Sequence, residues 1–247
     1  MVTLKSKSEI EAMRRAGEIV RDVLKLLGEN VKPGVTTRKL DSLAFDFITS
    51  RGAKPSFLHY NGFPASICAS VNEVVVHGIP SQRHLLEGDI IGIDVGAELD
   101  GFHGDAARTF AVGEISPENR RLIEVTEKCF FEAAAVAREG NRLSDIARAV
   151  QTLAESEGYS VVRALTGHGI GRSMHEDPEV PNFVSARANM RLKAGMTLAI
   201  EPMINMGTHD VKWLKDGWSV ITADGKPSAH YENTVAITGG DPIILTL

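Results

Sequence analysis

Apolar residues recur at helical spacing in two segments near the start of the chain. In the first, from position 10 to 27, they line one side of a predicted helix, and Ser8 and Glu11 are predicted to form a capping box at its start. A second helix is predicted after Thr37, with apolar positions from 40 to 48. From about Ser66 to Val112 the pattern changes to short apolar runs separated by turn residues, which is typical of strands.

The same order of elements then begins again. Ser116 is placed to cap a long helix that has Pro117 at its first position. A further helix is predicted to begin at Ser144 and to end at Gly158, and strands and loops fill the remainder. The order helix, helix, strands is therefore used twice.

A residue-level match supports this repeat. EGDIIGID (87–94) aligns with AGMTLAIE (194–201) at an offset that pairs Gly88 with Gly195 and Asp94 with Glu201. Short apolar strands after a glycine turn also resemble one another by chance, so the match alone leaves that alternative open. Together with the helix order it predicts a single domain over residues 1–247, with pseudo-symmetric halves at about 1–113 and 114–247.

Composition narrows the class of protein. The chain has 247 residues, 43% of them hydrophobic, and a net charge of −5, so it can bury a large core and gives no global case for nucleic acid or membrane binding. Two cysteines are too few for a disulfide framework, and the N-terminus has no apolar signal core. No stretch approaches the roughly eighteen apolar residues of a membrane span. These features favour a cytoplasmic globular enzyme.

Two acids interrupt an apolar hairpin. Asp94 ends the run IIGI and Asp105 follows the turn ELDG, so an antiparallel hairpin places them opposite or nearly opposite on one face. Two buried carboxylates without a partner cost several kcal/mol or force protonation, and a divalent cation removes both problems. Three alternatives remain open for the hairpin alone: a shared proton, an ion pair with Arg108, or a solvated hairpin end.

The second half of the chain adds further ligand types. His168 and His175 lie in the glycine-rich loop TGHGIGRSMHEDP, Glu201 ends the apolar strand LAIE, and Glu232 lies in AHYENTVAIT. Oxygen-rich ligation with one imidazole suits Mn(II), Fe(II), Co(II) or Zn(II) better than a structural zinc or a mostly hydrated magnesium site. Four carboxylates around one histidine can hold two such ions, which together acidify a water and polarise a carbonyl.

These motifs resemble those of a known family. DVGAELDGFHGDAARTF, GHGIGRSMHEDP, IEPM and HYENT are similar to the metal motifs of the pita-bread metallopeptidases, and SVNEVVVHGIP narrows the resemblance to the type I methionine aminopeptidases. The resemblance covers essentially the whole chain. It implies an α+β pita-bread fold, a pseudo-two-fold repeat of helix-helix-strands around a mostly antiparallel curved sheet. It also implies removal of the N-terminal methionine from nascent proteins whose second residue is small.

The resemblance also implies residue roles. Asp94 would chelate one of two divalent ions (Fe, Mn, Co or Zn), Asp105 and Glu232 would bridge the two, and His168 and Glu201 would complete the second site. Glu201 would also shuttle the proton of the attacking water. Two histidines, His77 and His175, are implied to act on the scissile amide as catalytic and substrate-binding residues.

A pocket and a second cation follow from the same resemblance. The side chains implied to surround the substrate methionine are Tyr60, Phe63, Cys68 and Trp218; sulfur–aromatic contacts would favour a thioether there. Met174 stands where some members carry an aromatic residue and Asn61 where some carry histidine, so both residues alter the expected shape of the pocket. The residues matching a family site for a monovalent cation, Na or K, are Asn72, Val74 and Ser228.

Two alternatives of different kinds remain. A proline-directed relative, of the prolidase or aminopeptidase P type, uses the same five ligands but usually carries an extra N-terminal domain, for which the helix near Ser8 leaves no room. A non-catalytic peptide-binding module on the same fold typically loses metal ligands. The family is usually monomeric and works on chains leaving the ribosome. A basic contact surface could therefore form from Arg187, Arg191 and Lys193 or from Lys212 and Lys215, although a solvated charged face gives the same pattern.

Overall fold

The helices come in two pairs, as the apolar periodicity predicts. The computed structural model describes residues 2–185 and 189–247. Its helices are α1 (Lys7–Asn30), α2 (Thr37–Ser50), α3 (Pro117–Val136) and α4 (Leu143–Ser156). Each helix is amphipathic: the apolar sides of α1 and α2 pack mainly in one core cluster, and those of α3 and α4 pack in another. The predicted order of two helix pairs is therefore confirmed.

Three helix starts differ from the prediction by one or two residues. The capping box of α1 uses Ser6 and Glu9 rather than Ser8 and Glu11, because the helix begins at Lys7: the Ser6 hydroxyl accepts from the N–H of Glu9, and the Glu9 carboxylate accepts from the N–H of Ser6. Helix α2 begins at Thr37 itself, since the Thr36 hydroxyl accepts from the Lys39 N–H.

The third shifted start is that of α4, which begins at Leu143 and not at Ser144. Leu143 is buried in the core and so belongs to the first turn. The Asp145 carboxylate accepts from the N–H of Arg142. By contrast, α3 begins as predicted, with Ser116 accepting from the N–H of Asn119 and Pro117 in the first turn.

Strands fill the space between the helix pairs. All strand pairs among the described residues are antiparallel, in agreement with the prediction. The strands are β1 (Lys54–Pro55), β2 (Ile67–Val71), β3 (Val74–Val76), β4 (Ile90–Leu99), β5 (Phe102–Ala111), β6 (Ser160–Val161), β7 (Gly167–Gly169), β8 (Glu176–Val180), β9 (Thr197–Ile200), β10 (Met203–Asn205), β11 (Val211–Trp213), β12 (Val220–Thr222), β13 (Ser228–His230), β14 (Glu232–Ala236) and β15 (Ile243–Ile244).

The main sheet has a symmetric arrangement. Its path is β1-β4-β5-β14-β9-β7-β8, with β2 also paired to β4 and β15 to β14. The strands β5 and β14 therefore lie at the middle, β4 and β9 flank them, and β2 and β7 lie outside those. Two three-stranded sheets, β13-β10-β6 and β11-β12-β3, adjoin it. The two flanking strands β4 and β9 are those that the offset alignment pairs, and both follow a glycine with positive φ, Gly88 and Gly195.

Alternation along β4 separates the core from the site. Ile91, Ile93 and Val95 are buried against the helices α1 and α2, so Asp94 between them points to the opposite face. Close packing of α1 on the neighbouring strand depends on glycine: a Cβ on Gly104 would lie 2.8 Å from the backbone nitrogen of Gly17. Among the described residues, no helix is both long and apolar enough to cross a membrane.

Candidate metal centre and adjoining pocket

The hairpin β4–β5 holds its two acids on one face. Its two-residue turn has positive φ at both Asp100 and Gly101, which suits the twist of the paired strands. The register pairs Asp94 with Ala107 and Gly96 with Asp105. Asp94 and Asp105 are therefore diagonal neighbours on one side of the hairpin, in agreement with the predicted nearly opposite placement.

The two glutamates face each other on a second ribbon. Ile200 of β9 pairs with Asn233 of β14, and Met203 of β10 pairs with His230 of β13. Both pairs belong to one continuous register, which places Glu201 directly across from Glu232. Glu232 in turn pairs with Ala107, the partner of Asp94. One row across the sheet therefore runs Asp94, Ala107, Glu232, Glu201, with an acid at each symmetric end.

Two threonines fix the middle of this row. Thr234 donates its hydroxyl to the carbonyl of Asp105 and accepts from its N–H, both at 3.0 Å. Thr109 makes the same two contacts, both at 2.9 Å, with the backbone of His230. These side-chain bonds continue the β5–β14 register on either side of its backbone pairs, where the strands splay apart. The backbones of Asp105 and His230 are therefore held at fixed positions.

His168 reaches the acids from β7. Its Nδ1 lies 2.8 Å from the carbonyl oxygen of Gly169, which can only accept, so Nδ1 carries the proton. The other nitrogen, Nε2, lies 3.7 Å from Asp105 Oδ2 and 3.8 Å from Glu201 Oε1. In the neutral ring this nitrogen presents its lone pair to the acids, which is the tautomer that a metal ligand needs.

The protein groups of this centre alone do not favour the ionised form of the four acids. Burial raises the pKa of all four acids, and neighbouring carboxylates raise the pKa further for Asp105 and Glu232. Burial also lowers the pKa of His168 to about 3 and that of His230 to about 4, which makes both rings neutral near pH 7. Neutral imidazoles cannot balance the acids, so the cluster needs cations from outside the chain to ionise.

Atoms without partners point to the same conclusion. Within the described part of the chain, four buried atoms of this cluster have no hydrogen-bond partner: Asp94 Oδ1, Asp105 Oδ1, Glu232 Oε1 and His230 Nε2. Two sets of ligand atoms lie within 4.8 Å of one another: those of Asp94, His230 and Glu232, and those of Asp105, His168 and Glu232. Buried, unpartnered oxygen and imidazole donors at these separations fit divalent transition-metal ions.

His230 is the residue of this centre that the sequence reasoning missed. It lies two positions before Glu232, and in extended chain such residues point to the same face. Its Nε2 is 3.5 Å from Glu201 Oε2 and 3.8 Å from Glu232 Oε2. The signal was present in AHYENT, where histidine and glutamate alternate with other residues, but only the register shows that the face they share is the face of the acids.

A cavity of about 430 Å³ opens beside the acids. The four residues predicted to surround a methionine side chain line it, and Phe57, Asn61 and Met174 line it as well; the four are Tyr60, Phe63, Cys68 and Trp218. Phe63 and Trp218 meet edge to face with ring centroids 5.1 Å apart. Cys68 lies on β2 directly opposite Asp94. The pocket is therefore apolar and aromatic at one end and acidic at the other.

The two histidines predicted to act on substrate both line this cavity. His175 stacks on Tyr60, shares a 2.9 Å hydrogen bond with its hydroxyl, and lies with its ring centroid 4.1 Å from that of His168. His77 follows β3 in the left-handed region, at φ 59°. Burial lowers the pKa of His77 to about 4 and also lowers the pKa of His175. Both rings are therefore neutral near pH 7 and can each donate one hydrogen bond.

The residues predicted for a monovalent cation lie near one another but outside the cavity. Ser228 donates its N–H to the carbonyl of Asn72 at 2.9 Å, and β13 lies beside β3, which begins at Val74. The Asn72 side chain donates to Asp89 and accepts from the N–H of Ile90. The monovalent site stays a prediction.

The residues predicted for a basic contact surface are only partly described. Arg187 lies outside the described residues. Arg191 donates to the carbonyl of Gly140, and Lys212 donates to that of Ala223. These contacts engage two of the predicted cations with the chain itself, and the ribosome contact stays a prediction.

Comparison with known proteins agrees with this geometry. The model of the family described as metallopeptidase family M24 matches residues 11–239. The chain is 56% identical to a methionine aminopeptidase of Clostridium perfringens, over 100% of this chain and 99% of the relative. It is 50% identical to methionine aminopeptidase 1 of Bacillus subtilis, over 100% and 99%.

Solved structures give the fold. The methionine aminopeptidase of Rickettsia prowazekii matches over all of both chains with a TM-score of 0.98 at 43% identity. An Xaa-Pro dipeptidase of Bacillus anthracis matches 98% of this chain and 61% of its own, with a TM-score of 0.80 at 22% identity, a likeness that concerns the fold alone. The predicted pita-bread fold is confirmed.

Proposed function

Because the chain belongs to metallopeptidase family M24, we propose that it is a metal-dependent methionine aminopeptidase. It would remove the N-terminal methionine of nascent proteins when the second residue is small. One observation carries the proposal: four acids, of which Asp105 and Glu232 are buried and the other two half-buried, converge with an imidazole at the acidic end of an aromatic pocket. Relatives named methionine aminopeptidases, which align over the full length of the chain, support it.

The proposed ligand set keeps the five residues found from the sequence. Asp94 would hold one divalent ion, Asp105 and Glu232 would bridge two ions, and His168 and Glu201 would hold the second. The lone pair of His168 Nε2 and the unpartnered carboxylate oxygens support this assignment. The donor set suits Fe, Mn, Co or Zn, and cellular availability would decide among them.

The chemistry divides between the ions and the side chains. When bound, divalent ions would lower the pKa of a water toward neutrality and polarise the scissile carbonyl. Glu201 would take the proton from the attacking water and deliver it to the leaving amine. His77 and His175 would hold the scissile amide and donate to the negative charge that develops on its oxygen. Their neutral rings, facing the cavity, support these roles.

Specificity would come from the pocket. Phe63 and Trp218 form a wall on which a thioether makes favourable contacts, and Cys68 and Tyr60 complete the pocket. A branched or ring side chain would fit this space less well than the flexible, unbranched one of methionine. Two free, buried cysteines support action in the reducing cytoplasm, and we propose that the protein works there as a monomer on nascent chains.

The test uses two peptides and one pair of variants. Metal-loaded protein should cleave Met-Ala-Ser and leave Ala-Pro-Ala intact, and EDTA should abolish cleavage. Trp218→Ala should lower the preference in kcat/KM for Met over Leu at the first position by about tenfold or more, because the pocket loses a wall. Trp213→Ala, at a tryptophan that is 57% exposed, is the matched control and should keep the preference.

Cleavage of Ala-Pro-Ala in preference to Met-Ala-Ser would replace the proposal by a proline-directed activity. Binding of peptides without cleavage in the presence of added Mn(II), Fe(II), Co(II) or Zn(II) would instead favour a non-catalytic module.

A further inference from the structure

The side chain of His230 lies beside the carboxylates of Glu201 and Glu232 and has no role in the proposed reaction. Its side chain is 4% exposed, and Nε2 has no hydrogen-bond partner among the described residues. An unpartnered ring nitrogen in a buried site costs about 1–3 kcal/mol, so a function for it is expected. The neighbours of this nitrogen are carboxylate oxygens, which accept hydrogen bonds when they are ionised.

The two oxygens of Glu201 face two different imidazoles. Oε1 lies 3.8 Å from Nε2 of His168, and Oε2 lies 3.5 Å from Nε2 of His230. The His168 nitrogen carries a lone pair, because its Nδ1 donates to Gly169. A carboxylate that uses one oxygen as a ligand beside His168 leaves its second oxygen in need of a donor.

The backbones on both sides of this contact are fixed. Thr109 binds the N–H and the carbonyl of His230, and Asn182 donates to the carbonyl of Glu201 at 2.8 Å. Asn182 is itself fully buried. With both backbones held, the side-chain torsions of Glu201 remain to be fixed, and a movement of well under 1 Å would bring Oε2 within hydrogen-bond distance of His230 Nε2.

We propose that His230 is a positioning residue whose Nε2–H donates to Oε2 of Glu201 and aims Oε1 at the ion that Glu201 would share with His168. The inference rests on the proposed function for the role of Glu201. It differs from direct ligation, in which Nε2 would present a lone pair to an ion beside Asp94 and Glu232. A hydrogen bond from His230 Nε2–H to Glu201 Oε2 gives both atoms a partner. If His230 were instead a ligand, Oε2 of Glu201 would lack this donor.

Three substitutions separate donation from other roles. His230→Leu fills the space and removes the donor. His230→Gln places an amide N–H at nearly the same reach, while His230→Asn is one methylene shorter and cannot reach Glu201. We expect His230→Leu and His230→Asn to bind one of two Co(II) ions about 10–100-fold more weakly than the wild type and to have a lower kcat, with KM for Met-Ala-Ser within about twofold. In His230→Gln, the Co(II) affinity and kcat should both be close to those of the wild type.

Metal binding is measured by titration calorimetry of the metal-free protein, which needs no peptide. His77→Ala removes an imidazole that lines the same cavity and that the proposed ligand set does not include, so its Co(II) affinities should match those of the wild type. Circular dichroism identifies a variant that fails to fold. If His230→Leu does not fold, the comparison of His230→Gln with His230→Asn still tests whether the donor must reach Glu201, since both variants carry the same amide.

Proton NMR of the Co(II)-loaded wild type tests ligation directly. One strongly shifted, exchangeable imidazole N–H, that of His168, is expected, and it should persist in His230→Gln. A second such resonance that is lost in His230→Gln would show ligation and overturn the proposal. The proposal is also overturned if His230→Gln binds Co(II) as weakly as His230→Asn does, or if His230→Leu binds Co(II) as tightly as the wild type does. A protein that binds two Co(II) ions but cleaves no methionine peptide would refute the proposed function and leave these readouts intact.

Discussion

Replacing Glu201 by glutamine should stabilise the metal-free protein. Burial raises the pKa of Glu201 from its ordinary 4.5 to about 8, so the folded protein at pH 7 must hold a proton that the unfolded carboxyl releases. Holding that proton costs about 1.4 kcal/mol for each pH unit above 4.5, which gives about 3 kcal/mol at pH 7. The amide of glutamine needs no proton, so Glu201→Gln should gain up to about this amount.

The pH dependence gives the sign of the effect. A carboxyl whose pKa is raised by folding contributes its full stability below the unfolded value, and this contribution is lost as the pH rises toward the folded value. Wild type and Glu201→Gln should therefore differ little below pH 4.5. Their difference should grow to about 3 kcal/mol at pH 7 and level off at about 5 kcal/mol above pH 8.

The assay is urea unfolding in EDTA at pH 5, 7 and 8.5. Glu179→Gln, which changes an exposed acid on β8, should stay within about 0.5 kcal/mol of the wild type at each pH. Addition of Co(II) should stabilise the wild type more than Glu201→Gln, because the variant has lost a ligand. A Glu201→Gln protein that is less stable than the wild type at pH 7 without metal, or a difference that does not grow with pH, would show that the buried Glu201 carboxyl does not carry this cost.

Two further predictions concern the other acids and the histidines. Asp105→Asn should lower metal content and turnover by at least about 10²-fold, because Asp105 would serve both ions. Asp100→Asn should change either quantity by less than about twofold, since asparagine tolerates the positive φ of that turn. Equal effects of the two substitutions in metal analysis and kinetics would contradict the ligand assignment. His175→Ala should keep its metal, and its kcat should fall by about 10²–10³-fold. His168→Ala should lose metal and recover part of its activity at high metal concentration. If His175→Ala instead loses metal in parallel with activity, His175 is a ligand.

Local sequence patterns were enough to predict the elements and most of the candidate ligands. Spacing along one hairpin put Asp94 and Asp105 on one face, because side chains alternate with period two and the Asp100-Gly101 turn fixes the register locally. The offset alignment of Asp94 with Glu201 was also correct: the two acids end the same row at symmetric positions, on the strands that flank β5 and β14. Motif resemblance supplied the remaining candidates, His168 and Glu232.

How distant segments meet depends on strand pairings that no local pattern of the sequence encodes. His168 and Asp105 are 63 positions apart, and the row that joins Asp94 to Glu201 depends on the register between β5 and β14. That register is held partly by the hydroxyls of Thr109 and Thr234, which no local pattern distinguishes from ordinary strand threonines.

The same limit explains His230 and the helix starts. The histidine is visible in AHYENT, but its approach to Glu201 follows from a ribbon register that continues across the break between β9 and β10. The start of α1 was predicted two residues late, because the segment carries Ser6/Glu9 and Ser8/Glu11 at the same spacing and only the structure shows that the first pair forms the cap. Periodicity and motifs report which groups a segment carries, whereas pairing between segments decides which of those groups come within a few ångströms of one another.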